Sequence, residues 1–214
     1  KYQGGDNGIS YKYFHSPLAE YVATLMPMWL APNLITLVAA MFIVMPHILT
    51  ILWYGPSFEG PINDLAHLLV AICHLIYITL DNVDGKQARR TGTSSPLGQM
   101  FDHGCDAITF SLGVTTLCRY RQLSGSYLTF AFVCLAPTGY FSYNLKEYYM
   151  GEYYLPVINP VSEGSLFDFF FVLLCVYIGW EQIQKPTSYG LTVTETYALV
   201  LVISQIYQNI EMII

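Results

Sequence analysis

One stretch of this chain differs in character from everything around it. From Asp81 to Asp106 it reads D-N-V-D-G-K-Q-A-R-R-T-G-T-S-S-P-L-G-Q-M-F-D-H-G-C-D, with four aspartates interleaved with glycines and basic residues. Asp81, Asp84, Gly85 and Ala88 fall at i, i+3, i+4 and i+7, one face of a helix. Gly98, Asp102 and Asp106 fall at i, i+4 and i+8, one face of the next. Small residues beside the acids predict two backbones that approach closely, with the four carboxylates converging between them. Uncompensated, those carboxylates would repel one another strongly. Divalent cations relieve the repulsion, and an all-oxygen donor set selects hard ions, Mg²⁺ or Mn²⁺. Two such ions suit the displacement of a diphosphate, because they stabilise the attacking and leaving oxygens together.

Other residues of the stretch have roles in that chemistry. Arg89, on the same helix one turn beyond Asp84, is a candidate phosphate contact. Gly85 and Gly98 let backbone reach a ligand. His103 follows Asp102 directly, and its imidazole is a candidate base for a hydroxyl. Asp106 is the other candidate, although its place on the metal-facing side commits its charge to cation binding. Solvated charges at helix ends would account for two or three of these residues. They do not account for four acids, an arginine and paired glycines at helical spacing.

The elements that must carry this stretch are membrane helices. Charged residues are only 11% of the chain and apolar ones 54%, more than a core of this size needs, so the excess must face something other than water. Six apolar segments approach the roughly 20 residues that cross a bilayer: residues 33–54, 62–80 with a pattern running on to Arg90, 98–117, 127–145, 166–180, and 191 to the end. Residues 16–30 mix Glu20 with Leu25, Met26, Met28 and Trp29 and predict an interfacial helix instead. The expectation is an all-α, polytopic membrane bundle of six core spans plus that helix, in one domain over 1–214. A carboxylate near hydrocarbon is costly unless paired or cation-bound, so acids in such helices default to function.

Six spans put Lys1, Lys12, Lys86, Arg89, Arg90 and Lys146 on one side and Arg119, Arg121 and Lys185 on the other, which predicts a cytosolic site. Tyrosines near span ends, among them Tyr2, Tyr11, Tyr13, Tyr148 and Tyr149, suit an aromatic belt. Net charge is −6 with no basic stripe, so nucleic acid is not expected as a partner. The five scattered cysteines form no C-x-x-C pair and read as small apolar residues, Cys105 being set aside for its acidic neighbours. The first 30 residues lack the pattern of a signal peptide. His67 and His74 are expected as buried hydrogen-bonding residues, and Glu195 as a polar residue near a span end.

Asp84-Gly85, Ala88-Arg89, Gly98, Asp102 and Asp106 match D-G-x2-A-R-x8-G-x3-D-x3-D without a gap, and the chain thereby resembles the CDP-alcohol phosphatidyltransferase family. D-G-K-Q-A-R-R followed by F-D-H-G-C-D, Ala31-Pro32-Asn33-Leu34-Ile35-Thr36, and Glu147-Tyr148-Tyr149 resemble its choline/ethanolamine phosphotransferase branch. Asn159-Pro160-Val161-Ser162-Glu163-Gly164 departs from that branch's Asn-Gly-Pro-x-Glu-Gly, and the branch itself has roughly ten spans of about 20 residues. The resemblance implies two ions, Mg²⁺ or Mn²⁺, held by Asp81, Asp84, Asp102 and Asp106. It implies a nucleotide side lined by Asn33, Gly85, Arg89 and Gly98, and either His103 or Asp106 as base. The substrates it implies are CDP-choline or CDP-ethanolamine and diacylglycerol, with CMP released, in the endoplasmic reticulum or Golgi, with membrane lipid around the protein and a homodimer or larger membrane complex as the assembly. The alternative is a family member retained as a structural subunit of a larger complex, in the mitochondrial inner membrane in that case. A transporter using the acids as a cation site explains neither Arg89 nor the glycines, and lacks paired broken helices.

Overall fold

The computed structural model describes residues 3–57, 60–123 and 127–213; Lys1 and Tyr2, counted above, lie outside them. A short strand β1 (Gln3–Asp6) leads through a π-helical turn (Tyr11–His15) into α1 (Ser16–Leu25). Three long helices follow: α2 (Pro32–Tyr54), α3 (Asp64–Thr91) and α4 (Pro96–Tyr120). Then come α5 (Tyr127–Met150), a strand β2 (Glu152–Leu155), α6 (Ser162–Ile178), a single turn α7 (Trp180–Ile183) and α8 (Val193–Ile213). Each expected span corresponds to a helix, and the architecture is all-α apart from one two-stranded parallel pair, in which Gly4 lies opposite Tyr153. Pro32–Tyr54 and Asp64–Thr91 are long and apolar enough to cross a membrane.

Local chemistry sets the helix ends that matter here. Asn63 caps α3 by accepting from the Ala66 N–H at 3.2 Å. Gly92 ends that helix in the left-handed region at φ 68°, where an L side chain would be strained. Ser95 caps α4 by accepting from the Gly98 N–H at 3.1 Å, and Pro96 takes the first helical position. The 28 residues of α3 make a rod of about 42 Å that carries the acidic stretch without a break.

The packing differs from the sequence expectation in one respect. α2 packs against both α3 and α4, whereas α3 and α4 scarcely approach each other's backbone. The small residues beside the acids therefore do not bring two backbones together. α2 fills the position a close partner would take, and the acid-bearing faces are left with a gap between them. Elsewhere α6 leans on α3 and α8 on α5. Val114, Cys118, Phe132, Ala136, Ala198 and Val202 form one buried cluster where α4, α5 and α8 meet, and Ala19, Ala23, Ile35 and Val83 another under α1.

Both arginines assigned to the far side are buried. Arg121 pairs with Asp168 of α6 and lies over the Tyr197 ring at 4.5 Å. Arg119 donates to the Gly60 carbonyl at 3.1 Å and lies against the Tyr54 ring. His67 is buried, bonded to the Asn63 carbonyl and stacked on Trp180 at 4.0 Å. His74 lies among Phe42, Ile43, Pro46 and Val70. Glu195 accepts from the Thr192 N–H at 2.8 Å while Thr192 Oγ1 accepts from the Glu195 N–H, a reciprocal cap on α8.

The N-terminal segment is strapped to the start of α6. Glu163 accepts from both the N–H and the hydroxyl of Ser10 at 2.9 Å, and Asp6 accepts from Asn159 and Ser162. Burial pushes the Asp6 carboxyl above its ordinary value despite these donors, with Glu163 adding to the effect. Burial likewise lowers the imidazole of His15, whose Nε2 lies 3.1 Å from the Ser162 carbonyl.

Candidate metal centre

The four aspartates meet in the gap between α3 and α4. Carboxylate oxygens of Asp81, Asp102 and Asp106 all lie within 4.8 Å of one another. Asp84 faces Asp102 and Asp81 faces Asp106, as two antiparallel helices with these spacings require. Asp84 is buried, and one of its oxygens accepts from the hydroxyl of Thr36, reaching across from α2. Asp106 Oδ1 accepts from the Tyr77 hydroxyl at 2.7 Å. Asp102 Oδ1 is buried and has no hydrogen-bond partner.

That orphaned oxygen tests whether a cation fits. A buried carboxylate oxygen without a donor is costly, and no lysine or arginine reaches into this cluster among the described ion pairs. A hard divalent ion supplies the missing charge, and the donors around it are all oxygens. The residues present fit such an ion.

The remaining expected residues sit around this cluster in two groups. Asn33 and Gly98 come together where α2 and α4 begin: a Cβ on Gly98 would stand 3.7 Å from Asn33 Oδ1 and 3.3 Å from Ser95 Oγ. Gly85 and Arg89 lie beside each other on α3, with Arg89 exposed and its Nη1 3.4 Å from where a Gly85 Cβ would be. His103 lies on the α5 side of the acids, near enough to Asp106 for its charge to act on that carboxylate. Its Nδ1 lies 3.8 Å from Glu147 Oε2, and its ring lies 5.7 Å from that of Tyr153. It lines an open groove of about 790 Å³ between α4 and α5, apolar at Met100, Phe110 and Phe141 and polar at Gln99, Asn144 and Glu147. Glu147 also accepts from Gln99 Nε2 at 2.5 Å.

The acidic stretch contains a second set of residues with a different task. Gln87 donates to the carbonyls of Pro27 and Leu30, and Arg90 to those of Ala23 and Met26. Lys86 donates to Ser16 and pairs with Glu20 at 3.2 Å. These side chains hold α1 and the linker behind it, whereas Arg89 of the same basic run is exposed and takes no part in those contacts.

Residues 29–203 match the CDP-alcohol phosphatidyltransferase family. The chain belongs to that family. It is 36% identical over 191 residues to choline/ethanolaminephosphotransferase 2 of Arabidopsis thaliana, a match covering 87% of this chain and 47% of that protein. It is 32% identical over 180 residues to cholinephosphotransferase 1 of Saccharomyces cerevisiae, covering 82% of this chain and 43% of the relative. The chain thus spans just under half the length of these relatives. As a chain of this family with membrane-length helices, it is an integral membrane protein whose acidic cluster is suited to divalent metal.

Sequence reasoning missed four side chains around this site. Thr36 stood in the Ala31–Thr36 segment, but nothing in its spacing pointed at Asp84. Glu147 and Gln99 come from different helices. Tyr77 alone left a usable signal, since it precedes Asp81 by four residues and so shares its face.

Proposed function

We propose that this chain transfers phosphocholine or phosphoethanolamine from CDP-choline or CDP-ethanolamine to diacylglycerol, releasing CMP. The observation that carries the reading is the convergence of four aspartates around a buried, donorless Asp102 oxygen in a chain of this family. Asp81, Asp84, Asp102 and Asp106 would hold two ions, Mg²⁺ or Mn²⁺. Bound there, the ions supply positive charge to the diphosphate and to the oxygen that leaves with CMP.

The chain's own residues do the rest. Arg89 offers a guanidinium fork to phosphate, and Asn33, Gly85 and Gly98 border the nucleotide at the open ends of α2, α3 and α4. The lipid hydroxyl oxygen attacks the phosphorus that bears the alcohol, the bond to the CMP oxygen breaks, and the hydroxyl proton goes to His103. Asp106 is less suited to receive it, because one of its oxygens already accepts from Tyr77. Glu147, beside His103 Nδ1, favours the tautomer that leaves Nε2 free.

Six of the helices are read as spans, α1 as interfacial, and the site as cytosolic, in the endoplasmic reticulum or Golgi. Burial of Arg119 and Arg121 supports this orientation, because protein partners rather than charge bias account for their position. The test is transfer from radiolabelled CDP-choline and CDP-ethanolamine, assayed in parallel on membranes containing the protein, with Mg²⁺, Mn²⁺ or chelator. Product with either donor that disappears in chelator is expected. Absence of product with both, at saturating metal and diacylglycerol, would refute the reading and favour a structural subunit.

A further inference from the structure

We infer that Tyr77, backed by Thr109, is a positioning residue for the cation site: its phenol holds Asp106 in the orientation that presents the carboxylate to metal. The inference rests on the two-ion reading above and adds a residue to it. Along the antiparallel α3 and α4, Asp84 faces Asp102, Asp81 faces Asp106, and the next rung is Tyr77 facing Thr109. Tyr77 therefore closes the inner end of the acidic ladder.

The splay of α3 and α4 makes such a device necessary. Helices in close contact would hold a carboxylate by packing alone, but here α2 keeps the two backbones apart. A rotamer of Asp106 must then be fixed by a donor that crosses the gap. The Tyr77 hydroxyl does so, donating to Asp106 Oδ1 at 2.7 Å while lying 3.0 Å from Thr109 Oγ1. Thr109 is buried, and its hydroxyl is in turn within reach of the Cys105 and Asp106 carbonyls.

The chemistry of the donor matters as much as its reach. A lysine or arginine at this position would neutralise Asp106 and compete with the ion. A phenol is neutral at working pH, so it orients the carboxylate without removing the charge that the cation needs. One oxygen accepts from the phenol while the carboxylate stands against Asp81 inside the acidic cluster. Outer-shell donors of this kind typically change metal affinity by about 10–100-fold when deleted.

The experiment compares wild type, Tyr77→Phe, Thr109→Val and Asp81→Asn as purified full chains. Mn²⁺ binding is read by electron paramagnetic resonance without nucleotide, and turnover is measured against Mg²⁺ concentration. Tyr77→Phe should bind Mn²⁺ about ten-fold or more weakly and need correspondingly more Mg²⁺, with saturating Mg²⁺ restoring most turnover. Thr109→Val should shift both in the same direction by less. Wild-type Mn²⁺ affinity in folded Tyr77→Phe, or a turnover loss that Mg²⁺ does not restore, overturns the inference. If Tyr77→Phe does not fold, unchanged affinity in Thr109→Val overturns it instead. Wild type that binds Mn²⁺ no better than Asp81→Asn overturns the two-ion reading and this inference with it. Binding by wild type but not Asp81→Asn, with Tyr77→Phe like wild type, overturns this inference alone.

Discussion

Replacing Asp81 by Asn should make the ion-free protein more stable while abolishing its activity. The oxygens of Asp81, Asp102 and Asp106 lie within 4.8 Å of one another. At that separation each ionised pair repels by about 3.5 kcal/mol for an effective dielectric constant of about 20. Asn keeps the shape and deletes two of the three repulsions. Shared protons and reorganised dipoles absorb most of that in the ion-free state, leaving a net gain of about 0.5–2 kcal/mol, the usual scale when a functional charge cluster is relieved. For a chain of this length that raises the melting temperature by about 1–8 °C. The assay is thermal unfolding in detergent with chelator, repeated with rising Mg²⁺. Wild type should gain about 2.7 kcal/mol when the ion reaches about 100 times its Kd, whereas Asp81→Asn should gain little, so the two curves cross. A variant less stable than wild type in chelator, or one stabilised by Mg²⁺ as much as wild type, would refute the reasoning.

Other expectations are simpler to state. His103→Ala should lose on the order of 10²-fold in turnover with CDP-choline affinity unchanged, whereas Asp106→Asn should weaken Mg²⁺-dependent CDP-choline binding. If Asp106→Asn binds normally but fails to react while His103→Ala turns over normally, the base is Asp106. Asp168→Ala leaves the Arg121 guanidinium buried without its carboxylate and should cost about 3–5 kcal/mol, with Arg121→Met plus Asp168→Leu recovering most of it. Equal melting of all three proteins would remove the ion pair from the account. Thr93→Cys should react with impermeant maleimide only from the cytosolic side of sealed vesicles, and lumenal labelling would reverse the orientation.

The acids were legible because helical periodicity fixes which side chains share a face, and four carboxylates among apolar residues stand out by cost alone. The end of α3 was legible too, because the pattern expected to run on to Arg90 stops at Thr91, whereas α4 starts at Pro96, two residues before the expected 98. The direction of His103 was not. Its position 100° round the helix from Asp102 fits two neighbours equally well, and only the placement of α5 selects Glu147. Nor could the basic run be divided beforehand. Gln87 and Arg90 hold α1 and the linker behind it through carbonyls of Ala23, Met26, Pro27 and Leu30, and a backbone carbonyl carries no sequence signature. The close approach of α3 and α4 was misjudged because small residues permit contact but do not compel it. The wedge that prevents contact, α2, lies elsewhere in the chain.

On the two-ion reading, that wedge would give α2 a part in choosing the ion. Mg²⁺ takes oxygens at about 2.1 Å and Ca²⁺ at about 2.3–2.6 Å, so the widths they require across a site differ by well under one carbon–carbon bond. α2 packs on both acid-bearing helices, with Ala39 and Ile43 buried along it and a Cβ on Gly113 of α4 3.7 Å from Ile43. Aliphatic side chains away from the carboxylates would then act as its calliper. A methyl group gained or lost in that seam would retune which divalent ion is accepted, with every aspartate unchanged.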